Sequence, residues 1–272
     1  MLALPFWLVT ICLFVLGAII GSFLNVVIYR TVQEQSWIKG RSKCEFCQQK
    51  IAWYDNIPLL SFFFLKGKCR HCQQTIGFIH PVVEFLTGAL FVWWYWGGFW
   101  FFRLTQHPFQ TLQPLFWLLV GILLLIIFVA DLRYLIIPDL AAGALLMITL
   151  LYRVSLTMMG VMQLRDLQLA VISSIIITIG FALLWLITKG KGFGLGDVKL
   201  VFPLGLLLGW PKILVGVFLA FFIGAITGII LISLKRKKFG QVIAFGPFLV
   251  LGTVLALIWG EVIWHGYLGF FK

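Results

Sequence analysis

The chain has 272 residues, of which 62% are hydrophobic and only 11% charged, and its mean hydropathy is +1.07. Soluble domains carry about 25% charged residues, so a water-soluble globule is excluded, and apolar runs of about 20 residues recurring along the chain point to an all-α polytopic membrane protein. The net charge of +12 is compatible with an acidic partner such as nucleic acid, but the positions of the charges argue for a bilayer instead.

Eight transmembrane helices are predicted, over 4–28, 82–102, 115–130, 140–152 or beyond, 167–187, 198–210, 213–234 and 243–264. The first is not read as a cleavable signal, because no basic region precedes it and the first basic residue, Arg30, follows it. With the N-terminus outside, 16 of the 21 basic residues fall in inner loops, among them Arg30, Lys39, Lys66, Arg133, Lys191 and the cluster Lys235 to Lys238. The outer side keeps Arg103, Arg153, Arg165, Lys212 and Lys272. This asymmetry follows the positive-inside rule and accounts for most of the net charge, so a lipid bilayer is expected as partner and nucleic acid is not. Gly67 and Lys238 are then cytosolic and Gln106 external. The fourth and sixth spans have apolar cores of only 13 residues, a length that also suits a re-entrant segment. Counting both as crossings keeps the Lys235 to Lys238 cluster inside. The fourth extends towards Met162, with Arg153 snorkelling.

Near the inner end of the first span, Asn25 is expected to bond between helices, with Gly21 and Ser22 permitting close approach. The one long hydrophilic segment, Arg30 to His80, carries Cys44-Glu45-Phe46-Cys47 and Cys69-Arg70-His71-Cys72, two CxxC pairs 21 residues apart. Four thiolates suit tetrahedral zinc. A cytosolic loop disfavours disulfides, so a structural metal knuckle is preferred to a redox pair. Metal would supply folding energy to a loop with little core of its own. His71 is a redundant fifth ligand, and Cys12 reads as a small buried hydrophobe. Glu84 opens the second span after Pro81, where helix-start electrostatics and a functional role explain it equally well. Trp93, Trp94, Trp96 and Trp100 look like an outer aromatic belt.

Two acids share the cytosolic boundary. Asp131 ends the third span in DLRYLIIPD, and Asp197 opens the sixth in the glycine-rich run Gly192-Phe193-Gly194-Leu195-Gly196-Asp197. Ionisable groups at membrane depth are functional hypotheses by default. A plainer reading makes Asp197 the N-cap of the next helix. Asp139 is the competitor to Asp131, but it stands before the fourth span, where helix capping suffices to explain it. Asp131 stands at a helix C-terminus, where the dipole disfavours an anion, so it is preferred as the active acid. Two adjacent carboxylates cannot both ionise easily, and such a pair activates water as in aspartic proteases. No GxSxG or HExxH motif competes. His71 and His80 are inner but flank no nucleophile, and His107 and His265 read as surface imidazoles. Lys199 either tunes Asp197 or snorkels. Glu261 lies towards the outer side.

These blocks resemble the type IV prepilin peptidases, also called prepilin leader peptidases. The similarity runs through GSFLNVVIYR at Gly21 to Arg30, SKCEFC at Ser42 to Cys47, NIPLLS at Asn56 to Ser61 and GKCRHC at Gly67 to Cys72. It continues through HPVVEFLTG at His80 to Gly88, DLRYLIIPD, GFGLGDVKL and FGPFLVLGT at Phe245 to Thr253. His80 and Glu45 depart from the Tyr and Pro common in the family. The resemblance implies a bacterial inner-membrane, multi-pass enzyme with its active site facing the cytosol. Such an enzyme cuts the basic leader from type IV prepilins or pseudopilins, then N-methylates the new terminus with S-adenosylmethionine. It places the catalytic aspartates at Asp131 and Asp197 and structural zinc on Cys44, Cys47, Cys69 and Cys72. The methyl transfer rests on resemblance alone. The implied organisation is a first helix over 1–29, a zinc loop over 30–81 and a seven-helix protease domain over 82–272. A different GxGD intramembrane protease and a non-enzymatic zinc-dependent carrier or scaffold are the alternatives.

Overall fold

The computed structural model describes residues 5–37, 40–98, 104, 108–190, 192, 194–238, 241 and 243–269. Lys39, Trp100, Arg103, Gln106, His107, Lys191, Phe193, Lys272 and the far end of the second predicted span lie outside the described residues. Helices account for nearly all the regular structure: α1 Phe6–Val32, α2 Leu60–Phe64, α3 Ile79–Trp93, α4 Phe109–Tyr134, α5 Asp139–Met158, α6 Leu164–Ile187, α7 Leu195–Leu208, α8 Lys212–Ser233 and α9 Gly246–Gly269. A π-helical turn, Trp94–Gly98, prolongs α3.

Among the described residues six helices are long and apolar enough to cross a membrane: α1, α4, α5, α6, α8 and α9. The short fourth span of the sequence reading is a full helix of 20 residues. The count of eight is not confirmed among the described residues, where α3 has 15 residues and α7 only 14. At 1.5 Å per residue α7 is about 21 Å long, against a hydrocarbon core of about 30 Å. It does not need the full length, because protein surrounds it. Nine of its residues are buried, and it packs on α5, α6, α8 and α9. A helix covered by its neighbours can end inside the bilayer provided its terminal backbone groups find partners. At the carboxyl end Arg153 supplies one, its Nη2 donating to the Leu207 carbonyl at 3.1 Å. The guanidinium expected to snorkel is thus bound to a helix terminus, where a cation complements the dipole.

The chain divides into two compact units, 1–126 and 127–272, with the boundary inside α4. In the first unit α1 lies along α3 at glycine contacts. A Cβ on Gly17 would stand 2.7 Å from the Thr87 carbonyl oxygen, and one on Gly21 would stand 2.7 Å from the Glu84 Cα. Asn25 Nδ2 donates to the His80 carbonyl at 3.1 Å, the interhelical bond expected of it. Trp93 and Trp96 are exposed, whereas the Trp94 indole N–H donates to the Pro114 carbonyl at 2.6 Å. In the second unit α8 runs along α9 and α6 along α7. Gly205 lets α7 approach Ser174 of α6, whose Oγ would lie 2.8 Å from an added Cβ.

Candidate active site

The second unit holds both candidate acids, each almost fully buried: Asp131 is 6% exposed and Asp197 7%. Asp131 sits in the last turn of α4, where the helix dipole opposes a carboxylate. The compensation comes from elsewhere. Its Oδ2 accepts the backbone N–H of Gly246 at 2.9 Å, and Gly246 is the first residue of α9. The positive end of one helix therefore offsets the negative end of another. Gly246 is needed for this approach, because a Cβ there would fall 2.6 Å from Oδ2. The sequence reading missed this residue. Its signal was the Gly-Pro pair opening an apolar run, Gly246-Pro247, which marks a helix start but does not say whose charge it receives.

Asp197 is the third residue of α7, and Gly194, not Asp197, is the N-cap. The carboxylate reaches back, and its Oδ2 accepts the Gly194 N–H at 3.1 Å. This is the acidic half of a capping box. The glycine between them also has a packing role: a Cβ on Gly196 would lie 3.2 Å from the Ile137 Cβ, so the DLRYLIIPD segment packs directly on the GxGD turn. The Asp131 and Asp197 carboxylates are close enough for one charge to act on the other. Each is held by a backbone N–H at a helix start, and neither forms an ion pair among the described residues.

Asp139 behaves differently. The N-cap of α5 is Pro138, Asp139 is the first helical residue, and it makes no capping bond. Its carboxylate instead takes the Lys199 ammonium in a two-oxygen contact, 2.9 and 3.1 Å. Both side chains are exposed, 75% and 57%. Lys199 is thus engaged with Asp139. Glu261 pairs with Lys212 at 2.9 Å, fifteen residues along α9 from Gly246, or about 22 Å of helix.

In the first unit the four cysteines converge. The sulfurs of Cys44, Cys47, Cys69 and Cys72 all lie within 4.8 Å of one another and can hold a metal ion, with His71 outside the group. Cys44 Sγ and Cys72 Sγ are 3.8 Å apart, which suits tetrahedral ligands at the zinc–thiolate length of about 2.3 Å. The two knuckles are built alike. In each, the first cysteine's carbonyl accepts an N–H from four residues on, and its own N–H donates to a carbonyl five residues on. Gln48 and Gln73 both take positive φ, 57° and 56°. Bridges Lys43–Lys50 and Lys68–Thr75 close the two turns. This symmetry is written in the chain as KCEFCQQKI and KCRHCQQTI, an internal repeat the sequence reading did not use. The backbone N–H groups of Cys72 and His71 lower the Cys69 thiol to about 7. The Gln74 N–H acts in the same sense on Cys72, yet burial and the facing thiols push it up to about 11. Four clustered thiols cannot all ionise without a cation among them. The second knuckle is tethered by Arg70, which clamps Asp55 with bonds of 2.6, 2.9 and 3.2 Å and lies over the Tyr54 ring.

Comparison with known proteins places this chain in a family. Residues 15–97 match the profile of the bacterial peptidase A24 N-terminal domain, and residues 118–229 match that of the type IV leader peptidase family. The prepilin leader peptidase/N-methyltransferase of Aeromonas salmonicida is 34% identical over 96% of this chain and 94% of its own length. Those of Pseudomonas aeruginosa and Neisseria gonorrhoeae are each 31% identical, over 96% and 92% of this chain and 93% and 91% of their own lengths. No solved structure matches.

Proposed function

The chain belongs to the type IV leader peptidase family, and on that premise we propose that it is an aspartyl endopeptidase of the bacterial inner membrane. It removes the leader of type IV prepilins or pseudopilins on the cytosolic side. It then N-methylates the new terminal residue with S-adenosylmethionine. The observation that carries the protease reading is the pair of buried carboxylates, Asp131 and Asp197, each anchored by one backbone N–H and without a counter-ion among the described residues. Such a pair shares a proton. The ionised member takes a proton from the attacking water, the protonated member donates to the scissile carbonyl oxygen, and the leaving amine is protonated as the tetrahedral adduct collapses. Gly194 and Gly246 fix the two carboxylates in position.

The metal loop serves the second activity in this reading. Zinc on Cys44, Cys47, Cys69 and Cys72 would supply folding energy and no chemistry, since a closed four-thiolate site leaves no open position. The working division is a first helix over 1–29, a zinc loop over 30–81 and a protease membrane domain over 82–272. The test of the dyad is leader cleavage by purified protein in detergent. Asp131→Asn and Asp197→Asn should each abolish turnover, whereas Asp139→Asn should keep a measurable rate. An active, folded Asp131→Asn enzyme would overturn the assignment.

A further inference from the structure

The first unit contains a cavity of about 560 Å³, a size suited to a nucleoside-bearing ligand. Its walls include Ser22 and Asn25 of α1, Cys44 and Cys69 of the knuckles, and Glu84 of α3. A second recess of about 470 Å³ adjoins it, sharing Ser22, Asn56 and Ile57, and is flanked by Phe23, Trp37 and Trp53. One chamber is polar, with three carboxylates and basic side chains such as Arg41, Lys43 and Lys50 in its wall, and the other is lined largely by apolar and aromatic side chains.

The three carboxylates of the larger chamber have different partners. Asp55 is clamped by Arg70, and Glu45 lies 3.8 Å from His80 Nε2. Arg30, also in the wall, is spent on the carbonyls of Ser36, Gly40 and Arg41. Glu84 alone of the three has no cation within ion-pair distance among the described residues, although it is 91% buried. Its Oε2 accepts the Leu59 N–H at 2.8 Å. A buried carboxylate with no counter-charge is costly in its ionised form, so it either keeps a proton or receives a cation.

The Leu59 N–H is held there by strained backbone. Leu59 has φ 62° and ψ −48°, and the Leu60 N–H closes on the Pro58 carbonyl at 2.6 Å. This is the positive-φ γ-turn, a rare and strained form. Leucine in that conformation is strained, and such strain collects at functional sites. The NIPLLS motif thus spends stability to aim one N–H at Glu84.

We propose that these adjoining recesses are the methyl-transfer site, with Glu84 as the carboxylate that faces the onium centres of donor and acceptor. The proposal rests on the methyl-transfer reading above. In the transfer the acceptor ammonium first loses a proton to Glu84. The amine lone pair then forms the N–CH3 bond as the S–CH3 bond breaks, its electrons passing to sulfur. The sulfonium becomes a neutral thioether, the methylated amine regains a positive charge, and the proton leaves Glu84 for water. Sulfonium and ammonium must approach along one line, so one carboxylate serves both.

The test uses the full-length protein in detergent and a labelled, photoactivatable S-adenosylmethionine analogue. In wild type, label should map to peptides within residues 22–84. Glu84→Gln should weaken S-adenosylmethionine binding about tenfold while leaving the neutral S-adenosylhomocysteine unchanged, and methyl transfer should fall. Bound zinc and the thermal midpoint report whether the variant is folded. If the carboxylate meets the acceptor more closely than the donor, donor binding holds and the KM for cleaved prepilin rises, which also supports the site. Folded Glu84→Gln that methylates at the wild-type rate overturns the proposal. So does label mapping elsewhere in an actively methylating wild type, a result that needs no variant. A wild-type enzyme that transfers no methyl group overturns the underlying reading as well.

Discussion

Gly246→Ala tests whether the start of α9 is part of the catalytic apparatus. The added methyl carbon would stand 2.6 Å from Asp131 Oδ2, 3.1 Å from its Cγ and 3.3 Å from its Cβ. Ordinary contact lies near 3.5 Å. Because the crowding reaches Cβ, turning the carboxylate about its own bond does not relieve it; either the whole Asp131 side chain or the start of α9 must move. Either movement breaks the 2.9 Å hydrogen bond. A hydrogen bond to a charged group is worth about 1.5–3 kcal/mol. If that loss falls on the reacting geometry, cleavage slows about 10- to 150-fold. The assay is the initial rate of leader removal by purified enzyme, with bound zinc and the thermal midpoint measured on the same sample. Gly143→Ala is the control, because nothing lies within 4 Å of a Cβ there; it should cleave at the wild-type rate. A folded Gly246→Ala enzyme with wild-type cleavage would refute the idea that α9 positions Asp131 for cleavage.

Three further outcomes are expected. Replacing Cys44 and Cys47 with Ser leaves two thiolates, too few for a closed zinc site, so the double variant should lose zinc and methyl transfer yet keep at least partial cleavage; full methylation by zinc-free protein would refute the role given to the loop. Single-cysteine labelling in a background lacking the native cysteines should find positions 67 and 238 cytosolic and 106 external; external labelling at 238 would mean that α3 or α7 does not cross. Arg70 holds the Asp55 carboxyl below its ordinary value of 3.8, so that pair's contribution is complete above 3.8 and disappears only as the pH falls through the lower folded value. The difference in thermal midpoint between wild type and Arg70→Gln should therefore stay constant from pH 8 to pH 5, and a difference that vanishes by pH 6 would show that another group governs the clamp.

Some of this protein was legible because it depends on composition and short spacing. Hydropathy alone determined a helical membrane protein, since a chain in lipid must satisfy its backbone within each helix. Two CxxC pairs marked a candidate metal site, because each knuckle is a local turn whose hydrogen bonds span at most nine residues. The acids Asp131 and Asp197 stood out as carboxylates in apolar surroundings. The crossing count was less legible, because a window of hydropathy cannot tell a helix that meets lipid from one like α7 that meets protein. What only the tertiary structure decided was partnership. Asp131 is held by Gly246, 115 residues on, and Asp139 by Lys199, 60 residues on. Glu84 receives an N–H from a strained turn 25 residues before it. A carboxylate's chemistry is set by what points at it, and whereas Gly194 reaches Asp197 from three residues away, the groups that reach Asp131, Asp139 and Glu84 arrive on other helices and loops, brought there by packing that no local spacing encodes.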